Sequence, residues 1–145
     1  VSIQNGCVLW PYSKAMTGFW QRCRGMIGEP EPTLSHAFWF PKCRAVHSFG
    51  MKAAIDLIAV DKELRLLAVE RHFCPGRSIR FKGCYGIIEL AASSPWPLES
   101  WVGQQFVFIA QGERINETTK LSPTDYFGIA LKSCDERVSA NEATP

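Results

Sequence analysis

Two acids stand where acids are rare. Asp56 interrupts the run Ile55-Asp56-Leu57-Ile58-Ala59-Val60, and Glu89 falls inside Ile87-Ile88-Glu89-Leu90-Ala91. A carboxylate within an apolar strand is costly unless hydrogen bonds or a counter-ion satisfy it. Asp56 can accept backbone N–H bonds from the turn Gly50-Met51-Lys52 and fix that loop, the way most buried polar groups serve. The other reading makes it a base or ligand at a cleft. For Glu89, as for Asp56, the expected partners are Arg22, Arg24 and Lys52, and a carboxylate–guanidinium clasp would be architectural. Paired carboxylates also suit glycoside hydrolysis, without other support in the chain.

His47 follows Cys43 by four residues, which invites a metal site or a Cys–His nucleophile. The surrounding Val and aromatic residues point to an extended segment, where such positions share a face but lie roughly 13 Å apart. A hydrogen-bonded structural histidine is the simpler reading, and neither a metal nor another cofactor is expected. The stretch Arg71-His72-Phe73-Cys74-Pro75-Gly76-Arg77-Ser78-Ile79-Arg80-Phe81-Lys82 mixes basic and aromatic residues. Such a loop can grip single-stranded nucleic acid by charge and stacking. The whole chain carries only +2, however, so a solvated loop is expected and nucleic acid is not. Glycine-rich phosphate loops, HExxH and GxSxG are absent.

Short β-favouring runs must position these groups. Cys7-Val8-Leu9-Trp10 reads as a strand that Pro11 ends, near a sheet edge. Phe19, Trp20, Cys23, Met26 and Ile27 recur at helical spacing after a Thr17 cap, and Gly28 with Pro30 and Pro32 stops that helix. His36 to Phe40 and Ala45 to Phe49 follow as strands. Ile55 to Val60 and Leu64 to Val69 flank Asp61-Lys62-Glu63 and make a hairpin. Arg71 to Lys82 reads as irregular, Tyr85 to Leu90 as a strand, and Pro95 to Trp101 as a short helical turn at most. Gln105 to Ile109 closes the pattern.

The 145 residues suit one domain, with 46% hydrophobic and 21% charged residues, the balance of an ordinary globular protein. The expected fold is mainly β, a mixed or antiparallel sandwich or barrel with one or two short flanking helices; α+β is the alternative label. Residues 1–110 form the domain, and 111–145 an extension that is partly flexible. Six cysteines (Cys7, Cys23, Cys43, Cys74, Cys84, Cys134) lie scattered without a CxxC pair and are expected to be mostly reduced thiols. No stretch is apolar for long enough to cross a bilayer. Val1 to Gly6 lack the basic and apolar regions of a signal peptide, and both a cytoplasmic and an exported location stay open.

Three blocks, in order, carry a pattern. They are Arg22-Cys23-Arg24-Gly25-Met26-Ile27-Gly28, then Phe40-Pro41-Lys42-Cys43-Arg44-Ala45-Val46-His47-Ser48-Phe49-Gly50-Met51 running into Ile55 to Asp61, then Ile87 to Ala91 followed by Gly103. Over about residues 7 to 110 the chain resembles the domain-of-unknown-function 192 family, also called uncharacterised protein family 0127. It departs from that pattern at Met26-Ile27, where the family has Leu-Met, and at Ser93-Ser94, where the family turns on a small residue and glycine. The resemblance implies a compact β-sandwich-like fold and no particular activity.

Together these residues point first to a non-catalytic binding or accessory module, with a site around His47, Met51, Asp56 and Glu89. The runner-up is a small hydrolase or metal-dependent enzyme using His47, Asp56 and Glu89. A structural component of an envelope or secretion assembly is the third reading. A protein partner or a small ligand suits the first.

Overall fold

The computed structural model describes residues 8–16, 33–110, 113–115 and 126–132. These form β1 (Val8–Ala15), β2 (His36–Pro41), β3 (Ala45–His47), β4 (Ile55–Val60), β5 (Leu66–Phe73), β6 (Ser78–Arg80), β7 (Gly86–Ala91), β8 (Phe106–Ala110), β9 (Glu113–Ile115) and β10 (Phe127–Leu131). Among the described residues the only helical piece is a 3-10 turn at Leu98–Trp101. The mainly β expectation therefore holds; the helix expected over Thr17 to Gly28 lies outside the described residues.

Eight strands make one mixed sheet in the order β5-β4-β7-β2-β1-β10-β8-β9, and β3 pairs with β6 as a separate ribbon. β1 and β2 run parallel. The sheet curls until its two sides meet. Arg65 bridges Gln105, the Leu66 N–H donates to the Gln104 carbonyl at 2.9 Å, and the Phe106 N–H donates to the Leu64 carbonyl at 2.9 Å. Of the two arrangements expected, sandwich or barrel, this strand order describes a barrel-like closure.

Strand alternation sorts the apolar side chains onto two faces. Inside the curl lie Trp10, Trp39, Ile58, Val60, Ile88, Leu90, Phe106, Phe108, Phe127 and Ile129. Outside it, Phe38, Phe40, Ile55, Leu57, Ala59, Phe73 and Ile87 form a second layer, which the ribbon covers with Val46. Both faces of β4 are thus buried, which explains its unbroken apolar run. Gly86 lies where the Trp39 indole crosses β7, and a Cβ there would run into that ring.

The β4–β5 hairpin forms as expected, with a turn spread over residues 61–65. Asp61 Oδ1 accepts the Glu63 and Arg65 N–H groups, both at 2.9 Å, and so fixes the turn.

Three expectations are corrected. β1 does not end at Pro11 or lie at an edge; it runs on to Ala15 between β2 and β10, and register shifts on either side of Trp10 accommodate the missing N–H. Arg71 to Lys82 is not irregular, because β5 continues to Phe73 and β6 follows at Ser78–Arg80. Nor does the fold stop near residue 110: β10 sits between β1 and β8, paired to both. Its Phe127 and Ile129 belong to the inner core, so five residues buy their place by burial although the sequence around them is polar.

Candidate functional site

Asp56 is 1% exposed and faces the inside of the curl near one end of β4. Opposite it, β5 carries one extra residue between the pairs Leu57–Glu70 and Ile55–Phe73. His72 takes a φ of 51° in this bulge, and its N–H donates to Asp56 Oδ1 at 2.9 Å. Asp56 Oδ2 accepts from Arg71 Nη1 at 2.9 Å and from the Ser94 N–H at 3.0 Å. The carboxylate thus absorbs the N–H that the bulge frees, the cation beside it, and the turn after β7.

Arg71 is equally committed. Its Nη1 also donates to the Ser94 carbonyl at 3.0 Å and its Nη2 to the Trp96 carbonyl at 2.6 Å. Glu99 receives Nε at 2.6 Å and Nη2 at 3.1 Å. All five guanidinium N–H groups are used, in the planar fork geometry that only arginine offers. The hydrogen bond from Arg71 holds the exposed Glu99 carboxyl down to about 2. The unit is a clasp that ties the 92–101 loop to β4 and β5.

The clasp overturns the expected donors of Asp56. The Gly50-Met51-Lys52 turn supplies none of the hydrogen bonds described for it, and Lys52 is not a partner; Arg22 and Arg24 lie outside the described residues. The turn is occupied elsewhere: the Met51 N–H donates to the Ser48 carbonyl at 3.2 Å. Arg71, Ser94 and Glu99 escaped the sequence reading because Arg71 was expected in a loop. A signal existed. Carrying the ladder Ala59–Ala68 and Ile58–Val69 two pairs further along the hairpin sets Asp56 opposite Arg71.

Glu89 lies on the other side of the sheet. On β7 it sits between Phe38 of β2 and Leu57 of β4, both in the outer apolar layer. It is 4% exposed, and among the described residues its Oε2 has no hydrogen-bond partner. Burial pushes its carboxyl up to about 8. Lys14, one strand beyond Phe38, holds its ammonium over the Tyr126 ring at 5.2 Å. Glu70, one strand beyond Leu57, is 3.7 Å from Arg77.

The other two expected site residues stay apart from Asp56. Met51 packs against the outer layer. His47 is exposed at the end of β3, opposite Ser78, with its ring stacked on Phe49 at 5.9 Å. Cys43 precedes the ribbon, and its thiol donates to the Ala45 carbonyl at 3.2 Å. Cys74 and Cys84 are free thiols, and burial pushes the Cys84 thiol up. Among the described residues no group of three His, Cys, Asp or Glu is placed to hold a metal ion, and no helix is long and apolar enough to cross a membrane.

No protein-family model matches the chain, and no curated protein matches it. Two solved structures share its fold. One is a protein of unknown function from Novosphingobium aromaticivorans, with a TM-score of 0.53 and 14% identity over 60% of this chain and 67% of that one. The other is described as a "putative transcription regulator" from Sinorhizobium meliloti, with a TM-score of 0.51 and 15% identity over 57% of this chain and 69% of that one. Likeness at such identities is one of fold, and function does not travel with fold alone.

Proposed function

We propose that this protein is a non-catalytic binding or accessory module whose binding side is the outer one, around His47, Met51 and Glu89. One observation carries the reading. Asp56, the better formed of the two acid sites, has both oxygens engaged by Arg71, His72 and Ser94. A general base or nucleophile needs a lone pair facing substrate, and a hydrolytic pair needs both carboxyls in one cleft, flanking the scissile bond. Asp56 and Glu89 leave opposite faces of the sheet, so the alternative of a hydrolase using His47, Asp56 and Glu89 has no common space in which to act. We also propose, on the three residue blocks alone, that the chain is a divergent member of the domain-of-unknown-function 192 family.

The test is an activity screen against p-nitrophenyl esters, phosphates and glycosides, run on the wild type and on Glu89→Gln. No turnover above buffer is expected from either. Turnover that Glu89→Gln abolishes while the variant stays folded would sink the proposal.

A further inference from the structure

Net charge conceals how charge is distributed. Residues 41–54 and 74–85, which carry the ribbon and its flanking loops, hold six basic residues and no Asp or Glu: Lys42, Arg44, Lys52, Arg77, Arg80 and Lys82. The chain has 16 basic and 14 acidic residues, so the rest of it holds ten against 14 and is net −4. All six basic side chains are exposed, as is His47. A chain of +2 thus concentrates six exposed basic side chains in the ribbon and its flanking loops, while the rest of its sequence is net acidic.

The ribbon's construction decides what this face offers. Val46 pairs with Ile79, and both pack inward on the outer apolar layer. Alternation turns their neighbours Ala45, His47, Ser78 and Arg80 outward. Next to them stands Phe49, a large ring left 57% exposed and stacked on the His47 ring at an interplanar angle of 27°. The backbone that bears these groups is fixed by the fully buried Ser48. Its Oγ donates to the Cys74 carbonyl at 2.6 Å and accepts the Arg77 N–H at 2.9 Å, while its own N–H donates to the Arg77 carbonyl at 2.8 Å.

The geometry points to the outer face of the β3–β6 ribbon as a binding surface for single-stranded nucleic acid. This names the ligand of the proposed binding module and rests on that reading. Arg80 and Lys82 meet backbone phosphates, and Phe49 with His47 gives an unstacked base a ring to lie on. Charge alone would serve a duplex or an anionic membrane equally well. The exposed ring pair held rigidly among cations is what favours unpaired bases. Arg77 contributes less, because it is drawn toward Glu70 and lies over the Phe73 ring at 5.1 Å.

Fluorescence anisotropy with a labelled oligothymidylate of about 15 nucleotides, within the size of one such site, tests the inference. A Kd of about 10⁻⁴ to 10⁻⁶ M is expected, weakening from about 50 to 200 mM salt with a log–log slope of about −1.4 for two phosphate contacts. The double variant Arg80→Glu, Lys82→Glu should lose at least about tenfold, with a shallower slope. Phe49→Ala should lose about fivefold or more with the slope unchanged. All these residues are exposed, and unchanged melting temperatures will show that the variants fold. No saturable binding at low salt overturns the inference; so does equal binding by the variants, tighter binding of a duplex, or binding of phosphatidylglycerol vesicles without binding of the oligonucleotide. Such a failure in a protein without turnover leaves the module reading intact, whereas turnover dependent on Glu89 removes that reading itself.

Discussion

Asp56 and Glu89 stand on neighbouring strands one residue out of register: Asp56 opposes Leu90, and Leu57 opposes Glu89. With a side-chain period of two, that single step sends the carboxyls to opposite faces of the sheet. Inward, Asp56 meets a cation and two backbone donors. Outward, Glu89 meets Phe38 and Leu57. The same residue chemistry therefore has opposite consequences for stability, and variants at the two positions should separate them.

At Asp56 the carboxylate holds the bulge, the cation and the post-β7 turn together, so both conservative and drastic replacements should destabilise. Asp56→Asn keeps the shape but offers one acceptor oxygen and sets an NH₂ against a donor, costing about 1–3 kcal/mol. Asp56→Ala should cost about 2–4 kcal/mol, short of the figure for a fully buried broken pair because Arg71 is 31% exposed. For a chain of this size the melting temperature should fall by about 5 °C and about 10 °C. Thermal melts of the two variants at neutral pH check this; unchanged melting in both would mean the clasp carries no load.

The turn that brings Ser94 to Asp56 has its own signature. Ser93 adopts a φ of 62°, the left-handed region that disfavours a side chain. It occupies part of the turn where the resembled family uses glycine. Ser93→Gly should relieve about 1 kcal/mol of strain, offset in part by the freedom glycine adds to the unfolded chain. The expected gain is a melting temperature higher by about 1–3 °C, with no change in oligonucleotide binding. A lower melting temperature would show that the Ser93 side chain contributes contacts worth more than the strain.

Much of this was legible in the residues. The short β-favouring runs of β2, β4, β5 and β7, and the hairpin at Asp61, follow from local pattern, because each run is bounded by turn-forming residues. Asp56 and Glu89 announced themselves as acids in apolar strands. Their partners did not, since a clasp between β5 and the 92–101 loop is a tertiary fact that local reading sees only by extending the hairpin register. Phe127 to Leu131 was missed because a five-residue strand between two others needs no sequence neighbour to mark it. The basic face was hidden by summing charge over the chain, when β3 and β6 come together from segments more than thirty residues apart.

Glu89 carries the sharpest pH prediction. Its folded-state carboxyl is raised from 4.5 to about 8 by burial alone. Between those values the folded protein keeps a proton that the unfolded chain has released. Stability tied to Glu89 is therefore complete below about pH 4.5, declines as pH rises toward 8, and levels off above it. Glu89→Gln replaces the acid by a group of similar shape that never ionises, so it should abolish this decline. At pH 4 the two proteins should melt within a few degrees of each other, the variant lower if the amide leaves its own N–H groups unsatisfied. As pH rises toward 8 the variant should melt increasingly above the wild type, and the gap should then hold steady to pH 9. Melting temperatures of both proteins from pH 4 to 9 give the answer. Parallel curves would mean that Glu89 keeps its charge when buried, which requires a cation drawn to Oε2.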